Sequence, residues 1–282
     1  MEARIPEELL REILLHNILP LHSDFLRFHE VYAGHYQLPP ISRCGHLLLV
    51  CKRWNRIGTP LLYECLRIST HQRAAAVAKV LHANPELGQA VRCLKVEGGF
   101  GKGLAPIGKA LPRVHSVHIV LRMKSGESIL GLEQALKLFL GLTTLHIELE
   151  SQHNNKTVTE ARTLIYECIK DYWLSLRNVG ISDAYYDAAA LADALAQSSI
   201  EEFECRAADL RDWSKKGIVQ KILSCPSLQR IVCRGNKRVE KTRQILKDGG
   251  VADTDIEKFR FIHHTRDDEF LLEMLMFYDA HD

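Results

Sequence analysis

Two stretches of the 282-residue chain combine residue types that can bind phosphate or metal. The segment Val96–Gly103, VEGGFGKG, follows a predicted strand and contains a Gly-Lys pair, as a phosphate-binding loop does. Its spacing does not fit that loop, because Val96 stands where the first glycine belongs and Gly103 replaces the Ser or Thr that binds Mg²⁺. We therefore predict a flexible loop at the edge of a structural repeat.

A histidine pair near the C-terminus, His263 and His264, is followed by Asp267 and Asp268. No third element with metal-ligand spacing accompanies these residues. The eight cysteines include no Cys-x-x-Cys pair, and the chain has no Gly-x-Ser-x-Gly nucleophile elbow. We therefore predict free thiols, no metal site, no cofactor and no catalytic residues.

The composition argues against several other classes of protein. Hydrophobic residues make up 46% of the chain and charged residues 26%, with a formal net charge of +2, so no basic excess points to nucleic acid. No run of 18 apolar residues suggests a membrane span. The N-terminus carries Glu2, Glu7 and Glu8 where a signal peptide would have its basic start and apolar run. These features predict a cytoplasmic or nuclear protein.

A six-residue pattern recurs from Tyr63 onward: an apolar residue, two others, an apolar residue, one other, an apolar residue. The matches begin at residues 63, 91, 114, 142, 176, 200, 228 and 256. A near-fixed period of this size indicates a solenoid, and the pattern resembles the leucine-rich repeat. Apolar helical stripes lie in the gaps, at residues 74–81, 132–140, 161–172 and 188–195, and a last one at 271–278 would cap the end.

These repeats predict an α/β fold over residues 63–282, in which parallel strands alternate with covering helices. The alternative is an unrelated open α/β sheet. Side chains alternate between the two faces of a strand, so the residues between the apolar positions would line a concave surface. At the far end this surface would be basic, with Arg206, Arg230, Arg234, Lys258 and Arg260.

Two interpretations of this basic end remain open. Clustered arginines can clamp a phosphorylated or acidic segment of a target protein through charge-assisted hydrogen bonds. Alternatively, Glu202 and Glu204 pair with Arg230 and Arg234 on the next strand and leave a solvated face of ion pairs.

The N-terminal part contains two predicted amphipathic helices. The first begins at Pro6, in the run RIPEELLREIL, with Glu7 and Glu8 at the positive end of its dipole. The second lies in the run LLLVCKRWNRIGTPLLY, whose apolar residues fall on one helical stripe, and Gly58 and Pro60 are expected to end it. Together, Pro-x-Glu-Leu-Leu-x-x-Ile-Leu and the later Leu-Val-Cys-Lys-Arg-Trp resemble the F-box motif.

The resemblance implies a helical module over residues 1–62 whose apolar face docks on the Skp adaptor. The contact positions of the family correspond here to Pro6, Leu9, Ile13, Leu14, Leu49, Val50, Cys51 and Trp54. Compared with the family pattern, residues 16–46 contain an insertion with its own helical spacing at Leu21, Phe25, Phe28, His29 and Tyr32. Whether this insertion leaves the adaptor face open is not decided by the sequence.

An F-box followed by leucine-rich-repeat-like units resembles the fungal-type F-box family with a C-terminal solenoid. That resemblance implies a non-catalytic substrate-recognition subunit of a Skp–cullin–F-box ubiquitin ligase, with the Skp adaptor and a cullin scaffold as partners. The solenoid would capture a target protein that the sequence does not identify. The alternative is a scaffold or binding module whose F-box-like helices are core, or hold the adaptor without ligase assembly.

Overall fold

The computed structural model describes residues 5–18, 41–98, 100–149, 155–182, 187–235 and 238–262. The chain divides into two compact units, Met1–Leu176 and Arg177–Asp282. In the described part of the chain, no helix combines the length and apolarity that a membrane span requires.

The first unit begins with a helical module made of α1 (Glu7–Ile18), a 3₁₀ helix (Ile41–Leu49) and α2 (Lys52–Glu64). In α1, Leu10, Leu14 and Ile18 are spaced four residues apart and therefore share one face. That face is buried against Leu48 of the 3₁₀ helix and Leu61 of α2. The module thus has a small apolar core of its own.

The second predicted helix is broken, which corrects the single stripe expected from Leu47 to Trp54. The chain leaves the 3₁₀ helix at Val50, and Cys51 is extended at the N-cap position of α2, with φ −162° and ψ 168°. The break lets Leu48 pack against α1 while Val50 and Cys51 stay exposed. A continuous helix would have placed Leu47, Val50, Cys51 and Trp54 on the same face.

The expected end of this helix at Gly58 and Pro60 is also wrong, because α2 continues to Glu64. Gly58 lies against Leu48, Ile18 and Leu14, where a larger side chain would collide with the module core. Pro60 is exposed, so water can solvate the backbone carbonyl that a proline leaves without its helical donor. The predicted division at residue 62 falls inside the first unit, where α2 runs directly into β1.

The rest of the first unit alternates strands with helices. Its strands are β1 (Cys65–Ile68), β2 (Cys93–Val96), β3 (Ser116–Leu121) and β4 (Thr144–Leu149). Its helices are α3 (His71–Ala83), α4 (Pro85–Ala90), α5 (Leu104–Ala110), α6 (Leu130–Leu136) and α7 (Lys156–Asp171). Each strand pairs in parallel with the next one along the chain, which sets Leu66, Leu94, Val117 and Leu145 side by side in one buried row.

The second unit repeats this order with β5 (Asn178–Ile181), α8 (Ala188–Ala196), β6 (Glu202–Arg206), α9 (Leu210–Lys215) and α10 (Ile218–Leu223). It continues with β7 (Arg230–Arg234), α11 (Val239–Asp248), α12 (Asp253–Ile256) and β8 (Phe259–Ile262). These strands are also parallel and paired in chain order. Phe203, Ile231 and Phe259 form its apolar row, and the ring of Phe203 stacks on Trp213 of α9 with 6.1 Å between the ring centroids.

The predicted repeats are confirmed as strands. Each of the eight strands starts two or three residues after the start of a sequence match, and the connections are helical. Because each strand after the first of its unit pairs with its predecessor, each unit has the arrangement of a solenoid rather than of a sheet with a reversal in strand order. One stripe is shorter than expected, since α6 ends at Leu136 and Leu140 is exposed. The capping stripe at residues 271–278 lies outside the described residues.

Successive repeats approach so closely at some positions that only glycine fits. A Cβ atom on Gly131, at the start of α6, would overlap the carbonyl oxygen of Gly101 and lie 2.8 Å from that of Phe100. The amide of Leu132 donates to the same Phe100 oxygen at 2.9 Å. The backbone of one repeat therefore rests directly on the backbone of the next.

Gly131→Ala is expected to lower the free energy of unfolding by about 2–3 kcal/mol, because two backbone segments would have to move apart. Urea unfolding followed by circular dichroism measures this change. Gly141→Ala is the matched control, since a Cβ atom there meets no atom within 4 Å, and it should change stability by less than about 0.5 kcal/mol. Equal effects of the two substitutions would contradict the close backbone approach.

Candidate protein-interaction surfaces

One exposed surface of the helical module is apolar. Leu9 is 54% exposed, Leu49 83% and Val50 60%, and Ile5 and Ile13 are also exposed. In α1, Leu9 and Ile13 are four residues apart, so they share a face that differs from the buried face of Leu10, Leu14 and Ile18, and Ile5 lies just before this helix. We call Ile5, Leu9, Ile13, Leu49 and Val50 the N-terminal apolar surface.

Ion pairs hold the two segments of this surface together. Arg53, in the first turn of α2, donates to the backbone oxygen of Ile5 and lies 3.7 Å from the Glu7 carboxylate. Arg56, one turn later, also pairs with Glu7. The start of α1 therefore lies beside the start of α2, which follows directly on Leu49 and Val50.

The structure separates the predicted adaptor-binding residues into two groups. Pro6, Leu9, Ile13, Leu49, Val50 and Cys51 are exposed. Leu14 is only 1% exposed and belongs to the core of the module, and Trp54 is half-buried against that core. Leu14 and Trp54 therefore pack beneath the N-terminal apolar surface and are less accessible to a partner than the exposed group. Ile5 was missed, although its four-residue spacing to Leu9 is visible in the sequence.

A buried polar cluster lies on β1–β4, made of Arg67, Lys95, Glu97, His118 and Glu148. The alternation of side chains predicted a concave surface on this face of the strands, but Lys95 and His118 are fully buried and Glu148 nearly so. Glu97 accepts a 2.7 Å hydrogen bond from Arg67 and lies 3.6 Å from the Lys95 ammonium. His118 Nε2 lies 3.3 Å from Glu148 Oε2.

The Lys95 ammonium has no hydrogen bond within the described residues. Burial lowers the pKa of Lys95, while the neighbouring Glu97 and Glu148 act in the opposite direction and Arg67 adds to the lowering. The net direction means that the folded chain disfavours the charged lysine relative to water. The cluster therefore contains a group that costs folding energy.

The strands of the second unit carry a basic face, made of Arg206, Arg230, Arg234, Lys258 and Arg260. These residues alternate with the apolar row of Phe203, Ile231 and Phe259, so they point away from the apolar core of the unit. Arg230 donates to Glu202 at 2.9 Å, and Arg234 binds both carboxylate oxygens of Glu204. The predicted pairing of these arginines with glutamates one strand earlier is thus confirmed.

Two further cations of the basic face also pair with carboxylates. Arg206 donates to Asp209 at 3.3 Å, and the Lys258 ammonium lies 3.2 Å from Asp255. Arg260 is exposed and stands in register with Val232. All five predicted substrate-binding residues therefore lie on β6–β8 or directly beside them.

The glycine-rich segment connects β2 to α5 and packs closely against neighbouring backbone. Gly98 lies against the backbone of Ser69, and Gly101 accepts a 3.0 Å hydrogen bond from the amide of Leu104. Within the described ranges, no three His, Cys, Asp or Glu residues are grouped to hold a metal ion. The histidines at 263 and 264 and the aspartates at 267 and 268 lie outside those ranges.

Buried cysteines face each other on adjacent strands, Cys65 with Cys93 and Cys205 with Cys233. Hydrogen bonding of the protonated thiol to the partner cysteine, together with burial, raises the pKa of Cys93 and of Cys205. Burial raises the pKa of Cys168 to about 12. The thiols of Cys93, Cys168 and Cys205 therefore stay protonated at neutral pH and are poor nucleophiles.

No protein-family model matches the chain, and no curated protein sequence matches it. The F-box and leucine-rich-repeat resemblances therefore stay predictions from motifs.

Lys95→Met is expected to raise the free energy of unfolding by about 1–2 kcal/mol at neutral pH, because it keeps side-chain volume and removes a buried charge. Arg67 remains as the partner of Glu97. Because the folded-state pKa of Lys95 is the lower one, the unfolded chain binds more protons between the two pKa values. The wild type therefore gains stability as pH rises toward about 10.4, and the advantage of the variant shrinks.

Urea unfolding of both proteins at neutral and at alkaline pH measures the difference. Lys79→Met, on the exposed side of α3, is the control and should change stability by less than about 0.5 kcal/mol. A Lys95→Met variant clearly less stable than the wild type would mean that the ammonium stabilises the cluster.

Proposed function

We propose that this chain is the substrate-recognition subunit of a Skp–cullin–F-box ubiquitin ligase and that it docks the Skp adaptor through the N-terminal apolar surface. One observation carries the proposal: α1 is apolar on two faces, and only one of them is buried in the core of the module. The second face coincides with positions that match the F-box motif, namely Leu9 and Ile13.

Large apolar side chains are exposed on this surface, although the module already has an apolar core. Leaving Leu9, Leu49 and Val50 in water forgoes roughly 1.5–3 kcal/mol for each side chain that a partner would fully bury. Such a concentration of large apolar side chains is typical of a protein-interaction surface. Three such residues can outweigh a substantial part of the entropic cost of association.

The charged neighbours of this surface fit a defined docking geometry. Arg53 and Arg56 both pair with Glu7, which fixes α1 relative to α2 before a partner arrives. A surface that is ordered in advance binds with a smaller entropic cost than one that must form on contact. The adaptor would therefore meet a preformed apolar surface bordered by charge.

The solenoid is the second half of the proposed receptor. Parallel strands in each unit present rows of side chains at fixed spacing, and the basic face of the second unit is open to solvent. In this function the chain performs no bond chemistry itself. It holds a target protein near the ubiquitin-carrying subunits, and the rate gain comes from proximity and orientation.

The combined substitution Leu9→Ser and Leu49→Ser tests the docking surface. Both side chains are more than half exposed, so the variant should fold as the wild type does. We expect its affinity for a purified Skp adaptor, measured by calorimetry, to fall by about 100-fold, because two buried leucines would be lost from the interface.

Leu140→Ser with Leu174→Ser is the matched control, because these leucines are comparably exposed but belong to the solenoid. Its affinity for the adaptor should equal that of the wild type. If the wild-type chain does not bind the adaptor, the proposal is wrong. If it binds the adaptor but does not retain a cullin in the same complex, it is an adaptor-binding module outside a ligase.

A further inference from the structure

Another exposed apolar surface lies on the first unit, in the segments that follow α6 and α7. Leu138 is 43% exposed and Leu140 63%, between the end of α6 and the start of β4. Tyr172 is 39% exposed and Leu174 74%, directly after α7. We call Leu138, Leu140, Tyr172 and Leu174 the solenoid apolar surface.

Two contacts hold the two segments of this surface side by side. The indole nitrogen of Trp173, which is buried, donates to the carbonyl oxygen of Leu136 at 3.1 Å. The ammonium of Lys137 lies 5.6 Å from the centre of the Tyr172 ring, within the range of a cation–π interaction. The solenoid apolar surface is therefore ordered before a partner arrives.

Large apolar side chains at this point of the repeat are confined to two neighbouring repeats. Leu140 and Leu174 each stand two residues before the start of a sequence match, at residues 142 and 176. In the repeats that start at 91, 114, 200, 228 and 256, the same position holds Gln89, Pro112, Ser198, Pro226 and Thr254. In the repeat that starts at 63 it holds Leu61, which is buried in the core of the helical module. The stacking of repeats thus does not require an exposed leucine here, and a cluster of them indicates an interaction surface.

The two segments are equivalent in the repeat but carry opposite charges at one position. Residues 137–140 and 171–174 correspond to each other, because each segment ends two residues before its sequence match. Lys137 therefore takes the same place in the first segment as Asp171 takes in the second. Asp171 is exposed, and the side chain of Lys137 is 37% exposed. Lys137 pairs with Glu133 at 2.8 Å, and an ammonium group has three donors, so it can also bind a further carboxylate.

We propose that two copies of this chain associate through the solenoid apolar surface about a two-fold axis. In such an interface, residue i of one copy contacts residue j of the other, and j contacts i. The axis brings the segment after α6 in one copy against the segment after α7 in the other. Leu140 then meets Leu174 and Lys137 meets Asp171, and each contact occurs twice. This inference goes beyond the proposed function and does not depend on the adaptor.

A second copy fits this surface better than a lipid membrane or nucleic acid does. Anionic lipids and nucleic acids attract clustered cations. Here Lys137 and Lys170 are accompanied by Glu133 and Asp171, so both signs of charge flank the apolar side chains. Opposite charges at equivalent positions are what a chain needs to pair with itself.

The small size of the surface indicates a weak dimer. Each partner in a standard interface contributes roughly 20–30 residues, and the solenoid apolar surface would form only the centre of such a contact. We therefore expect a dimer that dissociates on dilution.

Sedimentation velocity of the full chain without adaptor, over about 1–100 μM, measures this association. We expect the wild type to change from monomer to dimer as its concentration rises. Leu140→Ser with Leu174→Ser should raise the dissociation constant of the dimer at least about tenfold, because four leucines leave the interface. Leu9→Ser with Leu49→Ser is the matched control, since it removes two exposed leucines of the N-terminal apolar surface, and it should dimerise as the wild type does.

Exchange of the two charges tests the two-fold pairing itself. Asp171→Lys and Lys137→Asp should each raise the dissociation constant by about fivefold, because two pairs of like charges then face each other in the dimer. An equimolar mixture of these two variants should dimerise as the wild type does, since both contacts again join a cation to an anion. Misfolding of a variant cannot produce this recovery.

Several results would overturn the proposal. One is a wild-type chain that stays monomeric at about 100 μM, and another is a mixture of charge variants that dimerises no better than its components. A dimer that survives Leu140→Ser with Leu174→Ser, but not the matched control, would assign self-association to the N-terminal apolar surface. A monomeric chain that binds phosphatidylcholine vesicles through Leu140 and Leu174 would assign the surface to a membrane instead.

Discussion

Parallel pairing in register turns each position of the repeat into a continuous row of neighbours. Leu66, Leu94, Val117 and Leu145 meet in this way in the first unit, at a spacing of about 4.8 Å. A residue in such a row is packed against the equivalent residue of the repeat before and the repeat after. The glycine contacts between repeats, such as Gly131 on Gly101, follow from the same close stacking.

The same register also brings polar residues together on the opposite face, and the two units handle this differently. The first unit buries the polar side chains of Lys95, His118 and Glu148 close to one another. In the second unit, Arg206 and Arg234 are more exposed than their carboxylate partners Asp209 and Glu204. Buried networks favour a single arrangement of side chains, whereas exposed guanidiniums can exchange partners. The open face is therefore the better candidate for recognition.

The eight described strands could be predicted from the sequence, because side chains alternate between the two faces of a strand. This alternation appears in the sequence as a local apolar pattern. It did not predict the burial of Lys95, since the pattern assigns a face but not what surrounds it. Leu14 was assigned to the contact surface through the resemblance to the F-box motif, and the apolar spacing of α1 gives no local sign that its face is the buried one. The break at Val50 depends on how Leu48 packs on α1, which is a long-range contact.

The chain order of the strands has a kinetic consequence. Within each unit every strand after the first pairs with the one that precedes it in the sequence, so the contacts between strands join residues about one repeat apart. Topologies with short sequence separation between contacts fold faster than those with distant pairings. A growing chain can therefore add each repeat to the last completed one as it leaves the ribosome, before the C-terminal residues have been synthesised.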